Sequence, residues 1–319
     1  MAYQPAAQTT QSAGLTHLAT VHYSTESLDV LRQNFRFRGL CDEKTLPRKA
    51  GKLEQWYRPT KLAANTTPSA EGTVGASLTL STTTVTATVQ EFSDFITGSS
   101  LLVETDIADT VNMHSKELGY RAGLTVDTLG RTEFDANAGA LVASLGATAT
   151  IQDVRARIAD LAANLVQPMD GGNYRVLAHP YVMYDIKSDN TAGGFLDVAK
   201  YAASERLLDG EVGRVAGAVF AESTNVGTSG TAPNVLYYMY VVGQGAVGHV
   251  SLSGRGPSMV IDPKNQNFRI NVVKLGEPSG FDPEGKIGFA VSYRFVDTFK
   301  TLDATDLRYR TVQCDASLV

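Results

Sequence analysis

Residues 52–92 read KLEQWYRPTKLAANTTPSAEGTVGASLTLSTTTVTATVQEF, and this stretch decides how the fold is interpreted. Residues 52–58 have the composition of a strand, and a proline follows at once. Residues 79–92 form a second strand rich in threonine, since β-branched side chains suit a pleated backbone. The nineteen residues at 59–77 contain only two larger aliphatic side chains. The stretch therefore predicts a long two-stranded hairpin with an extended polar tip.

The threonine strand has no obvious core face. A half-buried strand alternates polar with strongly apolar residues, but here the apolar run on one face is limited to Val85, Ala87 and Val89. An isolated two-stranded ribbon is only marginally stable in water, so the hairpin needs support from outside itself. We expect a second copy of the chain to cover this thin apolar strip.

Composition is that of a globular protein with unevenly distributed charge. The chain has 319 residues, 43% hydrophobic and 19% charged, with a net charge of −5. That length suits one large domain or two ordinary ones, and the net charge argues against a general nucleic-acid binder. Residues 32–61 carry a net charge of +6 and residues 91–135 a net charge of −6. The two blocks could pair within or between chains, or stay as two solvated faces.

No targeting, membrane or disulfide signal accompanies this composition. The two cysteines, Cys41 and Cys314, give no disulfide framework and are expected to be free thiols in a reducing compartment. Residues 1–22 are polar and lack the pattern of a signal peptide, which favours a tail or an arm that orders on a partner. No run of apolar residues is long enough for a membrane span.

The strongest helical signal is an apolar stripe with steps of three, four and seven residues. It predicts a helix over about 101–133, roughly 50 Å long, which would cross the domain as a spine. Three glycines within it, Gly119, Gly123 and Gly130, predict a bend or a break. The stripe consists of Val103, Ile107, Val111, Leu118, Ala122, Val126 and Leu129.

The remaining pattern mixes strands and helices without a regular βαβ order. A second helix begins at Ile151, with a capping box formed by Thr150 and Asp153 and an apolar stripe that reaches Leu165. Pro180 opens another helix. Further elements are a strand at 174–178, a helix at 195–208, and strands at 212–221, 235–242, 246–252, 258–262, 267–274 and 286–296. This arrangement predicts an α+β fold.

Motifs that would carry chemistry are weak. Residues 243–248, GQGAVG, match the glycine pattern of dinucleotide-binding turns. The residues that follow alternate like a strand and form no helix to hold a pyrophosphate, so we predict a strand–turn–strand connection. His179, which precedes a proline, is expected to be a turn or cap residue. No nucleophile, base and orienting group come together, so we predict no enzyme activity, no cofactor and no metal.

The order of a basic arm, a projecting hairpin, a long helix, a compact middle and returning strands is distinctive. It resembles the major capsid protein of tailed phages, with the Hong Kong 97-type fold. Three segments also resemble the coat-protein family named after the N-four phage. They are residues 23–58, which run from YSTES to QWYR, residues 209–222, DGEVGRVAGAVFAE, and residues 235–252, VLYYMYVVGQGAVGHVSL.

The resemblance implies a division of the chain into parts. Residues 1–50 would be the N-terminal arm and residues 51–97 the extended β-hairpin loop. Residues 98–147 would belong to a peripheral domain with the spine helix, and residues 148–255 to an axial domain. Residues 256–319 would return to the peripheral domain as strands and the C-terminus.

The resemblance also implies a function in the virion. Copies would assemble in the host bacterial cytoplasm as hexamers and pentamers of an icosahedral shell enclosing double-stranded DNA, which they would contact weakly and without sequence preference. A separate scaffolding protein, a portal and a decoration protein are the implied partners, and no membrane is involved. The alternatives are an encapsulin-like nanocompartment shell, a phage tail or decoration protein, and, last, an enzyme of unknown type.

Fifteen residues are predicted to contact neighbouring subunits, because they combine basic and aromatic side chains of the hairpin region with the thin apolar strip and the acidic start of the spine helix. These residues are Arg32, Arg36, Arg38, Arg48, Lys49, Lys52, Trp56, Tyr57, Arg58, Val85, Ala87, Val89, Glu104, Asp106 and Asp109.

Overall fold

A computed structural model describes most of the chain between residues 35 and 317. The described residues are 35–47, 49–72, 74–75, 77–105, 110–137, 140–142, 148–169, 171–189, 214–215, 217–231, 235–252, 269–274, 286–303 and 307–317. The predicted helix at 195–208, the predicted strand at 258–262 and the N-terminal tail lie outside them.

The described residues form an α+β fold with fourteen strands and four α-helices. The strands are β1 (Asp42–Leu46), β2 (Leu53–Pro59), β3 (Thr82–Thr88), β4 (Gln90–Ser99), β5 (Leu141–Val142), β6 (Tyr174–Ala178), β7 (Arg214–Val215), β8 (Ala218–Glu222), β9 (Thr228–Ser229), β10 (Leu236–Val242), β11 (Val247–Leu252), β12 (Arg269–Lys274), β13 (Ile287–Thr301) and β14 (Tyr309–Cys314). The helices are α1 (Ser100–Thr105), α2 (Thr110–Asp135), α3 (Ile151–Ala163) and α4 (Pro180–Ser188).

Strand pairing within the described residues makes two sheets and a separate hairpin. A five-stranded sheet is organised around β13, which pairs antiparallel with β4, β11 and β12, while β1 pairs parallel with β11. A seven-stranded sheet has β10 between β14 and β6. Strands β2 and β3 form the predicted hairpin and pair only with each other.

The threonine strand divides in two and changes its buried face at the division. In β3 the inward residues are the odd-numbered Val85 and Ala87, followed by Val89 in the connection. In β4 the even-numbered positions turn inward, beginning with Phe92, whose ring stacks on Phe295 at 5.4 Å. The shift of one residue between the two strands moves every side chain to the other face. This shift explains why strict alternation over the whole segment finds no core face.

The spine helix α2 runs unbroken through its three glycines. Its 26 residues span about 39 Å at 1.5 Å per residue, and Leu118, Ala122 and Val126 are buried as the stripe predicts. The predicted break is therefore wrong. At Gly123 an added Cβ would lie 2.6 Å from the Phe35 ring, so this glycine permits close approach of the N-terminal segment.

A 3₁₀ turn at Phe37–Leu40 fastens that N-terminal segment to the spine helix. The Asp127 side chain, only 1% exposed, accepts hydrogen bonds of 2.8 Å from the backbone N–H groups of Arg36 and Phe37. Its other oxygen accepts from Asn225 Nδ2 at 2.8 Å. The Phe37 ring meets Tyr240 edge-on at 5.2 Å, in the cluster between α2 and the sheets. The N-terminal segment therefore contributes to the core from Phe37 onward.

A second apolar cluster lies beneath α3 and α4, against the seven-stranded sheet. The predicted stripe of α3 is confirmed for Ile151, Val154 and Leu161, and the Asp153 carboxylate accepts from the Thr150 N–H at 2.9 Å as expected of a capping box. Leu165 differs from the prediction: it is exposed, with φ of +60° just past the helix end.

Strands pair across the predicted boundary at residue 255, and the division into peripheral and axial parts stays a prediction. Strand β11, assigned to the axial part, lies in the five-stranded sheet with β4 and β13. Strand β14, assigned to the peripheral return, lies in the seven-stranded sheet beside β10. The turn at Gly243–Gly245 is one of the places where the chain crosses from one sheet to the other.

Candidate assembly surface

The hairpin has an inner face that the chain covers by itself. Ala87 is 2% exposed and packs with Val89 against Leu46 and Val250 of the five-stranded sheet. Val85 is half-buried. Ala87 and Val89 are therefore covered within their own chain, and their contact with a neighbour stays a prediction. The hairpin base is anchored in its own chain because the strand presents its odd-numbered face to β1 and β11.

Trp56 strengthens the same anchor. Its ring lies on Gly248, where an added Cβ would meet Trp56 Cζ2 at 2.6 Å, and Lys44 Nζ lies 5.0 Å from the ring centroid. A cation over an indole face is an attractive contact. Trp56, predicted to contact a neighbour, is thus half-buried against its own chain, and Gly248 of the glycine motif makes the space for it.

No described residue covers the outer face of the hairpin. Leu53 and Tyr57 point to this side, Tyr57 is 71% exposed, and the facing strand presents a row of exposed threonines. The connection beyond the last rung, Thr60 with Ser81, carries further exposed aliphatic side chains, and Val74 is 99% exposed. A row of apolar side chains on a projecting element is typical of a surface that a partner covers.

Basic residues around the hairpin divide into paired and unpaired groups. Lys44 pairs with Glu54 at 3.3 Å, Arg38 pairs with Glu43 at 2.7 Å, and Arg58 pairs with the buried Asp303. Of the other predicted contact residues, Arg36, Lys49 and Lys52 are exposed and form no ion pair with a described residue, whereas Arg32 and Arg48 lie outside the described part.

Part of the acidic block is also neutralised within the chain. Asp94 pairs with Arg121 at 2.9 Å, and Glu91 pairs with Arg294. Glu104 is exposed at the end of α1, while Asp106 and Asp109 lie outside the described residues.

Helix α1 presents a second apolar surface that no described residue buries, and the sequence analysis, which placed these residues within the predicted helix at 101–133, did not single out this surface. None of its six residues is buried, although it contains Leu101, Leu102 and Val103 in succession, and Leu101 is 67% exposed. Phe95 on the adjoining strand β4 is exposed as well. The signal available in the sequence was three consecutive aliphatic residues, which cannot all lie on one face of a helix.

Residues that could have carried chemistry have structural roles. His179 is the N-cap of α4, where its Nδ1 accepts from the Tyr181 N–H at 3.2 Å, and its ring stacks on Tyr237 at 4.3 Å. Burial lowers the pKa of this imidazole from its ordinary value. The glycine motif connects β10 to β11, as predicted, with Gly245 at φ of +69°.

Metal and membrane signals are likewise missing from the described part of the chain. No cluster of three or more histidine, cysteine, aspartate or glutamate side chains there could hold a metal ion. No described helix is both long and apolar enough to cross a membrane. Cys41 and Cys314 are buried free thiols, and burial raises the pKa of both; that of Cys314 rises to about 12.

Solved phage capsids are similar to the chain over nearly its whole length. The Helicobacter pylori bacteriophage KHP30 capsid matches at a TM-score of 0.69 and 10% identity, covering 98% of this chain and 99% of that one. The Ralstonia phage GP4 capsid matches at 0.68 and 13%, covering 98% and 99%. The capsid of the cyanophage P-SCSP1u matches at 0.64 and 14%, covering 99% of each.

These similarities establish the fold. At such identities the shared property is the arrangement of strands and helices, and the chain has the fold of these phage capsid proteins. No protein-family model and no curated protein matches the chain. The resemblance to the N-four-type coat proteins stays a prediction.

Proposed function

We propose that the chain is a major capsid protein, copies of which assemble as hexamers and pentamers into an icosahedral shell around double-stranded DNA. The observation that carries this proposal is the whole-length match to phage capsids, with 97–99% of the chain covered by the structures from KHP30, GP4, Pam1 and P-SCSP1u. Because the match includes both the hairpin and the two sheets, the chain resembles these capsid proteins as a whole and not in a single subdomain.

In this proposal the hairpin is the main contact between copies. Its inner face is occupied by its own chain, so its outer face, with Leu53 and Tyr57, remains for a neighbour. Lys52, just before β2, is exposed, and its charge would complement Glu104 of α1 on a neighbouring copy. The apolar face of α1, with Glu104 at its end, is the surface we assign to the neighbouring copy.

Such a contact joins two different surfaces of the same protein. A heterologous contact of this kind closes into a ring if the rotation between copies allows it, and rings of six and five then close a shell. Stable protein interfaces bury about 1,200–2,000 Å² in total, which an extended hairpin lying across a neighbour can provide. Shell stability would then be collective, shared among many such contacts.

The remaining parts of the proposal follow from the capsid assignment. Residues 1–50 would act as the arm, 51–97 as the extended loop, 98–147 with 256–319 as the peripheral region and 148–255 as the axial region. A separate scaffolding protein, a portal and a decoration protein would be partners. Contact with DNA would be weak, because a net charge of −5 disfavours tight binding of phosphates. Assembly would take place in the cytoplasm of the host bacterium and the product would be the virion.

Negative-stain microscopy of the purified full-length chain, with and without its scaffolding protein, tests this function. Closed, uniform particles are the expected result. Tubes, or trimers bound to a pre-existing shell, would instead indicate a tail or decoration protein. Closed particles that contain a cargo enzyme would indicate a nanocompartment. Monomers under every condition would contradict the proposal.

A variant links the particles to the proposed contact. Lys52→Glu should lower particle yield at least several-fold, because it places like charges against the acidic neighbour surface, while the fold of the monomer stays unchanged. Lys116→Glu is the matched control, because it makes the same change of charge at an exposed lysine on α2. Equal yields for both variants would argue against this role of the hairpin.

A further inference from the structure

A cavity of about 630 Å³ lies between the loop end of the hairpin strands and the body of the chain. Arg58 and Lys61 line it from the hairpin, and Gln167, Gln244, Asp303 and Arg308 line it from connecting segments of the body. Three cations and one carboxylate give it a net charge of +2. It lies apart from the outer hairpin face and α1, the two surfaces assigned above to contacts between copies.

The single acidic group in the cavity is already engaged. Asp303 is 4% exposed, pairs with Arg58, and lies 3.8 Å from Arg308 Nε. A guanidinium carries five N–H donors, so each arginine keeps donors beyond those that one shared carboxylate can accept. Lys61 is exposed and forms no ion pair with a described residue. The cavity therefore has more donors and positive charge than its own acid satisfies.

The glycine motif that resembled a dinucleotide-binding turn contributes to this cavity in another way. At Gly245 an added Cβ would lie 2.5 Å from Arg308 Nη1, and at Gly243 it would collide with the Val166 side chain. Both glycines thus let β10 turn closely around residues that line the cavity. Their role is to make space for the Arg308 guanidinium and the segment at 164–167.

We propose that this cavity binds phosphate groups, and that a bound phosphate compound bridges the hairpin to the body. Arginine forks match phosphate oxygens two at a time, and the two glutamines add neutral hydrogen-bond donors at the rim. The volume exceeds what one inorganic phosphate fills, so a diphosphate or a stretch of nucleic-acid backbone suits it better. Since the ligand would contact residues of both parts, its binding would hold the hairpin against the body.

Binding of pyrophosphate to the full-length chain in its unassembled form, measured by isothermal titration calorimetry, tests the proposal. We expect saturable binding of one pyrophosphate per chain. Lys61→Gln and Arg308→Gln should each weaken it about tenfold or more, because each removes a cation from the cavity. Lys116→Gln, which changes a lysine on α2, should leave it unchanged. The exposed Lys61 serves as the informative variant if Arg308→Gln does not fold.

A second arm identifies the source of the phosphate. A short DNA duplex that binds with the same dependence on Lys61 would assign the site to the nucleic-acid backbone, whereas binding of pyrophosphate alone would assign it to a small phosphate compound. No saturable binding, equal binding by Lys61→Gln and the parent chain, or binding of a glutamate-rich peptide in place of phosphate would overturn the proposal. Because the assay needs no particles, its outcome is independent of whether the chain forms a shell.

Discussion

At the scale of single residues, Asp127 joins the N-terminal segment to the spine helix. Its carboxylate serves the two backbone N–H groups at Arg36 and Phe37 as well as Asn225, in a place that solvent barely reaches. Backbone donors left without an acceptor in such a place cost free energy. One side chain thus holds the segment at Arg36 and Phe37 against the spine helix.

Asp127→Ala should lower the free energy of unfolding of the unassembled chain by about 3 kcal/mol, because it leaves buried donors without an acceptor. Asp160→Ala, which breaks the pair with Arg157 on the surface of α3, should cost less than about 1 kcal/mol. Urea denaturation followed by circular dichroism measures both. A similar loss of unfolding free energy in the two variants would show that Asp127 does not hold the N-terminal segment.

Asp127 also makes a pH-dependent contribution to stability. Burial raises its pKa above the ordinary value of 3.8, although the hydrogen bonds it accepts act in the opposite direction. Between that value and the raised pKa the folded state binds more protons than the unfolded state, so this contribution falls as pH rises.

The stability of the parent chain relative to Asp127→Asn should therefore decrease as the pH rises from about 4 through the raised pKa of Asp127. Urea denaturation at a series of pH values measures the difference. A relative stability that increases over this range would mean that the hydrogen bonds outweigh burial and that the pKa is lowered. Asp135, whose pKa burial also raises, is unchanged in both proteins and does not contribute to the difference.

At the scale of elements, the hairpin and the spine helix were predictable from the sequence. The glycines did not break the helix, because Phe35 and Phe37 pack closely against it where a side chain in place of glycine would be in the way. Alternation could not predict that the buried face changes between Val89 and Phe92. A one-residue shift within the segment moves the apolar side chains from one face to the other, so neither face is apolar over the whole segment. The residues of α1 lay inside the predicted helix at 101–133, but its exposed apolar surface was not predicted, because the three aliphatic residues follow one another without periodicity.

A pair of adjacent substitutions tests the face assignment of the hairpin. Ala87→Asp should lower the free energy of unfolding by about 3 kcal/mol, because it forces a carboxylate among Leu46, Val89 and Val250. Thr86→Asp, one residue earlier on the outer face, should change it by less than about 1 kcal/mol. Limited proteolysis within 60–81 should be faster in the first variant alone. The reverse order of effects would invert the assignment.

At the scale of the whole molecule, the order of parts predicted the fold where single motifs did not. The pairing of strands across residue 255 was not predictable, because each sheet is built from strands distant in sequence, and local composition carries no information on such pairing. The same limit applies to the candidate contact residues. Their charge could be predicted from the sequence, but whether Ala87 and Trp56 face their own chain depends on the register of the hairpin strands.

Deletion of residues 62–79 should separate folding from assembly. The last hairpin rung joins Thr60 N to Ser81 O at 2.8 Å, so the deletion retains every rung and leaves Lys61 and Leu80 as a two-residue turn. We expect the unfolding midpoint of the monomer to stay within a few degrees of the parent, and particle yield to fall sharply. Sedimentation and thermal unfolding measure the two. An unfolded monomer would show that the tip belongs to the core of its own chain.

A cryo-electron microscopy reconstruction of particles assembled from the full-length chain tests the central claim most directly. The account predicts a closed shell of hexamers and pentamers in which the outer face of the hairpin, at Leu53 and Tyr57, lies on a neighbouring copy while Ala87 stays buried in its own chain. Failure to form closed particles, or a shell in which the hairpin's outer face touches no neighbour, would contradict it.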